Sequence, residues 1–146
     1  MKNNILFLVF LAVLIGSTSF AQSENHKWKV LFSGAKNVWY DGTQLDTVSS
    51  SRFDLWIIEL HKPALTLDGV AKKITRTKTL YSVDREIGKY GLKKVVYYNN
   101  VSTELARYSY ESDDSTGTTK YYFPIINSEL FDGIFKELDK KTAGKK

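Results

Sequence analysis

The sequence predicts an α+β domain: an antiparallel β-sheet of about six strands with one C-terminal helix packed on it. Three observations point to it. From Trp28 to Ile126 the chain alternates β-branched and aromatic runs with polar turn clusters. A single amphipathic helical stripe occurs, and it comes last. No helical pattern separates consecutive strands, so the connections suit antiparallel pairing rather than parallel crossovers.

The elements follow in order. Trp28 to Phe32 is a short strand, and Val38 to Tyr40 a second, closed by the turn dipeptide Asp41-Gly42. Gln44 to Val48 is expected to pair back across that turn. Ser49 to Ser51 is a polar break. Arg52 to His61 is the clearest strand, with Phe53, Leu55 and Ile57 on one face and Trp56, Ile58 and Leu60 on the other. Both faces are apolar, which predicts a central strand covered on each side. Pro63 should end it, since proline donates nothing to a ladder. Leu65 to Val70 reads as a loop around Asp68-Gly69. Ile74 to Asp84 alternates again: Thr75, Thr77, Thr79, Tyr81 and Val83 share one face, and Ile74, Arg76, Lys78 and Leu80 the other. After a turn at Gly88 to Gly91, Leu92–Tyr98 and Leu105–Tyr110 form a hairpin with Asn99-Asn100 opening its loop. Glu111 to Gly117 is a polar turn, and Thr119 to Ile126 a last strand, placed at an edge by Pro124.

The helix begins at Asn127 or Ser128, whose side-chain oxygen can accept an orphan backbone N–H. Leu130, Phe131, Ile134, Phe135 and Leu138 make its apolar stripe. Glu129 and Asp132 favour its positive end, and Lys136 and Lys140 its negative end. Gly133 in the middle costs about 1 kcal/mol relative to Ala.

The first 21 residues read as a cleavable signal peptide. Lys2 precedes the apolar run Ile5 to Ile15, and Ser19 and Ala21 stand at the small-residue positions of a cleavage site. The run is shorter than the roughly 20 apolar residues a spanning helix needs. A lipoprotein signal needs a Cys after the cut, and the chain has none. The expected product is periplasmic or secreted, not lipidated, without a transmembrane segment. It comprises one domain over 22–140 and a basic tail over 141–146. Its 125 residues, the 146 less the 21 removed, can bury a core without staples. Without Lys2 the formal charge falls from +5 to +4. That mild excess favours anionic surfaces and argues against nucleic acid as partner.

No catalytic constellation stands out. Zero Cys excludes thiol nucleophiles and zinc ribbons. Of two His, His26 lies in a frayed, mobile start and His61 at a strand end; neither has metal-site spacing, so no metal and no cofactor is expected. Asp84 with Glu86, and Asp113-Asp114, are weighed as carboxylate pairs, but solvated turn charges explain them. What does stand out is an aromatic content of 14%, including nine Tyr. Tyr97, Tyr98 and Tyr108 gather with Lys93, Lys94 and Arg107 on the 92–98 and 105–110 hairpin. Tyr with basic side chains is the mix of a recognition surface for a protein or glycan, with the cations steering an acidic partner. A periplasmic enzyme or enzyme inhibitor, and an envelope structural protein, are the alternatives. A sheet edge would offer backbone for homodimer pairing.

The order of four stretches resembles the surface-adhesin protein E family of small exported bacterial proteins. They are Asn37-Val38-Trp39-Tyr40-Asp41, Phe53-Asp54-Leu55-Trp56-Ile57, Thr79-Leu80-Tyr81-Ser82-Val83-Asp84, and Tyr122 to Ser128 followed by the helix. The resemblance implies an antiparallel sheet with a C-terminal helix and the binding of host matrix proteins. It also implies a Cys after the acidic strand end and another in the helix. Here Arg85 and Glu86 follow Asp84 and the helix has no Cys, so that disulfide is absent. The mature chain is expected to begin at Gln22. Intact-mass measurement of the exported species checks this, and a retained Met1 or an acyl group would contradict it.

Overall fold

A computed structural model describes residues 25–110 and 123–144. The strands are β1 (Trp28–Phe32), β2 (Asn37–Asp41), β3 (Arg52–Leu65), β4 (Ile74–Asp84), β5 (Lys89–Tyr98), β6 (Glu104–Ser109) and β7 (Phe123–Pro124). The helices are α1 (Gly42–Thr47) and α2 (Glu129–Ala143). The sheet runs β1-β2-β3-β4-β5-β6, every neighbour antiparallel, and β7 pairs with β5. Thus β6 takes the Lys94–Tyr98 half of the outer edge of β5, and β7 pairs at Lys89 and Tyr90. The α+β architecture read from the sequence is the one formed. Of the last expected strand, residues 119–122 lie outside the described residues, as does the 111–117 turn.

Three local expectations are corrected. Gln44 to Val48 does not pair back as a strand. The Asp41 carboxylate accepts from the backbone N–H of Thr43 and Gln44, which starts α1 and turns Leu45 into the core. β3 runs past Pro63 to Leu65, because its pairing breaks between Leu60 and Leu65 and no ladder N–H is required of the proline. The turn expected at Gly88–Gly91 lies earlier, over residues 85–88, and Lys89 already belongs to β5. Its Gly88 takes φ 63°, a left-handed conformation that suits glycine.

Ser128 caps α2 by accepting from the Phe131 N–H. Phe131, Ile134 and Leu138 are buried. Ile134 and Leu138 join Val38, Tyr40, Leu45, Leu55 and Ile57 in one core cluster. Phe135 is only partly buried, with the Arg85 guanidinium 4.9 Å from its ring centre. Gly133 has a packing reason for its cost. A Cβ there would stand 2.9 Å from Cζ of Phe32 and 3.2 Å from Cδ1 of Leu31, so the missing side chain lets α2 lie close on β1. Arg85 donates to both oxygens of Asp139 at 2.8 and 3.0 Å, linking the β4–β5 turn to α2. Lys141 donates to the carbonyls of Leu45 and Asp46, satisfying the end of α1 from α2.

Side chains alternate across the strands, so the register fixes two faces. Both helices lie on the face of Tyr40, Leu55, Ile57 and Tyr81. The opposite face carries Trp39, Trp56, Ile58, Lys78, Leu80 and Val96. Its apolar members Trp56, Leu80 and Val96 are nonetheless buried.

If α2 is the lid of the core, Ile134→Ala should lower the unfolding free energy by about 2–5 kcal/mol. Phe135→Ala should cost clearly less. Urea unfolding of the two variants checks this, and an equal or reversed order would contradict the packing.

Candidate functional site

The structure divides the residues that the sequence groups together. Lys94 opposes Leu80, Val96 opposes Lys78 and Arg107, and Tyr98 opposes Arg76, so Lys94, Arg107 and Tyr98 share the helix-free face. The bulge between Leu80 and Tyr81 makes Lys93 an extra residue on that same side, where it donates to Asp54 at 2.8 Å. Arg107 is held by Glu104 at 3.0 and 2.8 Å. The Arg76 guanidinium lies 4.4 Å from the Tyr98 ring centre. Tyr97 and Tyr108 turn the other way, to the helix-bearing side, with Val95 and Thr77.

On the helix-free face the sequence missed the main polar feature. His26 is ordered, not frayed. Its Nδ1 meets Oδ2 of Asp41 at 2.6 Å and its Nε2 meets Nζ of Lys78 at 2.9 Å. A lysine ammonium only donates, so Nε2 accepts and Nδ1 carries the proton given to Asp41. The Lys78 ammonium also lies 4.3 Å from the Trp56 ring centre and 5.7 Å from that of Trp28. His26 itself packs 5.0 Å from Trp28 and 6.0 Å from Trp56. The register explains the meeting: Trp28 pairs with Asp41, so the chain two residues earlier passes the end of β2. Asp41 is 2% exposed, and the backbone N–H of Lys27, Thr43 and Gln44 surround its other oxygen. Gln44 then accepts from the Trp56 N–H at 2.7 Å, supplying the pairing that β2 no longer provides there.

Asp84 is built the same way at the end of β4. One oxygen accepts from the N–H of Glu86 and Ile87, and the other from Nε of Arg52 at 2.6 Å. Burial works to raise its pKa, but the bonds from Arg52 and the two amides outweigh it and hold the carboxyl below its ordinary value. Glu86 sits in the turn, where its carboxylate accepts from the Ser51 hydroxyl at 3.3 Å. Asp113-Asp114 lies outside the described residues.

The helix-bearing side holds a second group, past the cluster under α2, which stops at Tyr81. Glu59 pairs with Thr77, Thr77 with Tyr97, and Tyr97 with Ala106. His61, two residues on from Glu59, bonds Oγ1 of Thr77 through Nε2 at 2.7 Å. Burial lowers the His61 pKa, against the pull of Glu59. The Tyr97 and Tyr108 rings stand 6.0 Å apart at 72°. Burial, with Tyr110 and Tyr108 nearby, raises the Tyr97 phenol. Tyr108 and Tyr110 are 41% and 57% exposed. The outcome is a patch of three tyrosines, a carboxylate and an imidazole across β3 to β6. Sequence reasoning named Tyr97 and Tyr108 but not Glu59, His61 or Tyr110 as their neighbours.

Among the described residues no three His, Cys, Asp or Glu side chains converge as a metal site requires, and no helix is long and apolar enough to cross a membrane. Comparison of the chain with protein-family models, with curated proteins and with solved structures gives no match.

His26→Ala leaves the buried Asp41 carboxylate without its ring donor, which should destabilise the fold by about 1–3 kcal/mol. It should also shift Trp emission to the red. Urea unfolding followed by Trp fluorescence checks both, and an unchanged midpoint and spectrum would show that the His26 contacts are incidental.

Proposed function

We propose that the mature chain is an exported, non-enzymatic binding module, adhesin-like in kind, that meets a protein or glycan partner through Tyr97, Tyr108 and Tyr110 with Glu59 and His61. The observation that carries this reading is the exposure of Tyr108 and Tyr110 beside a third tyrosine on a sheet face. Tyrosine offers a large contact area on few rotatable bonds, with a hydroxyl for orientation, and is enriched at recognition surfaces. The resemblance to the surface-adhesin protein E family supports the same class, and the signal-like first 21 residues support a periplasmic or secreted location.

The basic residues contribute less than the sequence suggests. Lys93 and Arg107 already have acidic neighbours in Asp54 and Glu104, and they face away from the tyrosine patch. The non-enzymatic reading gains from His26. The one imidazole oriented by a buried carboxylate has both ring nitrogens engaged, so neither is positioned to move a substrate proton.

A pull-down with the chain from Gln22 tests the proposal. Tyr108→Ser with Tyr110→Ser should abolish capture of the partner while leaving the melting temperature within a degree or so, because both side chains are exposed. Lys93→Ser with Lys94→Ser should leave capture largely intact. The reverse pattern would move recognition to the basic face.

A further inference from the structure

We infer that the tyrosine patch takes a neutral, hydroxyl-rich glycan. This rests on the patch being the recognition surface, and the chemistry of its surface carries it further.

Apolar exposure comes first. On this side of β3 to β6 the exposed large hydrophobic side chains are Tyr108 and, one residue past β6, Tyr110. Of the exposed aliphatics, Val30 lies on β1, Leu65 at the end of β3 paired with Ile74, Leu67, Ile87 and Val101 in loops or turns, and Ile126 ahead of α2. A protein-binding core is normally built on apolar side chains that can be fully dried. The exposed Phe123 lies on β7, stacked on Tyr90; in the patch itself both exposed rings, Tyr108 and Tyr110, end in a hydroxyl. Such rings stack on the C–H faces of a sugar and hydrogen-bond its rim in the same contact.

The polar groups beneath agree. Glu59 is an acceptor for hydroxyls. Thr77 holds His61 through Nε2, so the imidazole has a set orientation. Burial disfavours its charged form, and among the described residues of the patch Glu59 is the carboxylic side chain. A polyanion would meet a carboxylate here, while Lys93, Lys94 and Arg107 lie on the opposite face. An acidic glycan or nucleic acid is therefore disfavoured on charge, and a neutral one is not.

Dimensions fit a short oligosaccharide. From Glu59 on β3 to Tyr108 on β6 is three strand spacings, about 14 Å. Tyr108 and Tyr110 stand two residues apart along the chain, about 7 Å. Those spans match consecutive sugar rings rather than a single one. Tyr97 and Tyr108 meet edge to face at 72°, which fixes the Tyr108 ring against the sheet.

The test is an amide-shift NMR titration of the chain from Gln22 with two neutral probes, the β-1,4-linked hexamers of glucose and of N-acetylglucosamine. A heparin-derived hexasaccharide and a proline-rich peptide serve as comparison arms. The expected result is that a neutral hexamer shifts amides around Glu59, Thr77, Tyr97 and Tyr108. The affinity should hold at about 0.5 M salt, where exposed charges are screened. Tyr108→Ala with Tyr110→Ala should weaken it by about tenfold or more with the fold intact. If only the acidic hexasaccharide or the peptide perturbs the patch, the neutral-glycan inference fails while the recognition surface stands. If neither neutral hexamer shifts the patch, or if the double variant binds a hexamer as well as the parent, the inference is overturned. If the double variant also keeps the partner captured in the pull-down, the recognition surface falls with it.

Discussion

A six-strand meander has two faces, and this one has helices for only one of them. Everything else in the structure follows from how the second apolar face is covered. Trp56 and Leu80 point away from α2, yet Trp56 is 5% exposed. Its cover includes the N-terminal segment and one lysine: His26 packs on it and on Trp28, and the Lys78 ammonium sits over its ring. Asp41 anchors that cover, because a buried carboxylate must be hydrogen-bonded and His26 supplies a donor. The same carboxylate starts α1, which carries Leu45 into the opposite core. One side chain thus couples both faces of the sheet.

The fold uses that device twice. Asp41 ends β2 and Asp84 ends β4, each with one oxygen on the N–H groups two and three residues ahead and the other on a nitrogen donor from a neighbouring segment. Both strand ends are fixed without a disulfide, in a chain with no Cys. On the helix side, Arg85 and Asp139 add a bidentate link, but both are substantially exposed and contribute little beside the burial of Ile134 and Phe131.

Much of the fold was legible because strands announce themselves by alternation. The two faces of β3 and β4, the β5–β6 hairpin and the Ser128 cap all follow from period-2 and period-3.6 patterns with their turn residues. What failed were places where a side chain overrides a local signal. Asp41-Gly42 has the composition of a hairpin turn, but the Asp side chain caps a helix instead. Pro63 breaks a ladder only where the ladder needs its N–H. The candidate site was half legible. Tyr97 and Tyr108 were visible as aromatic positions, but which face each took depended on the β5 bulge at Lys93, and no residue type marks a bulge there. Glu59, His61 and Tyr110 join them only through register across strands far apart in sequence. His26 was hidden for the same reason: its partners Asp41 and Lys78 are 15 and 52 residues away.

The chain closes its second face with its own N-terminal segment. The most direct measurement compares urea unfolding, followed by Trp fluorescence, for chains beginning at Gln22 and at Trp28. The shorter chain keeps every strand and both helices but lacks His26. It should show a lower midpoint and a red-shifted native emission, as Trp56 loses cover and Asp41 loses its imidazole. Superimposable curves and spectra would contradict this.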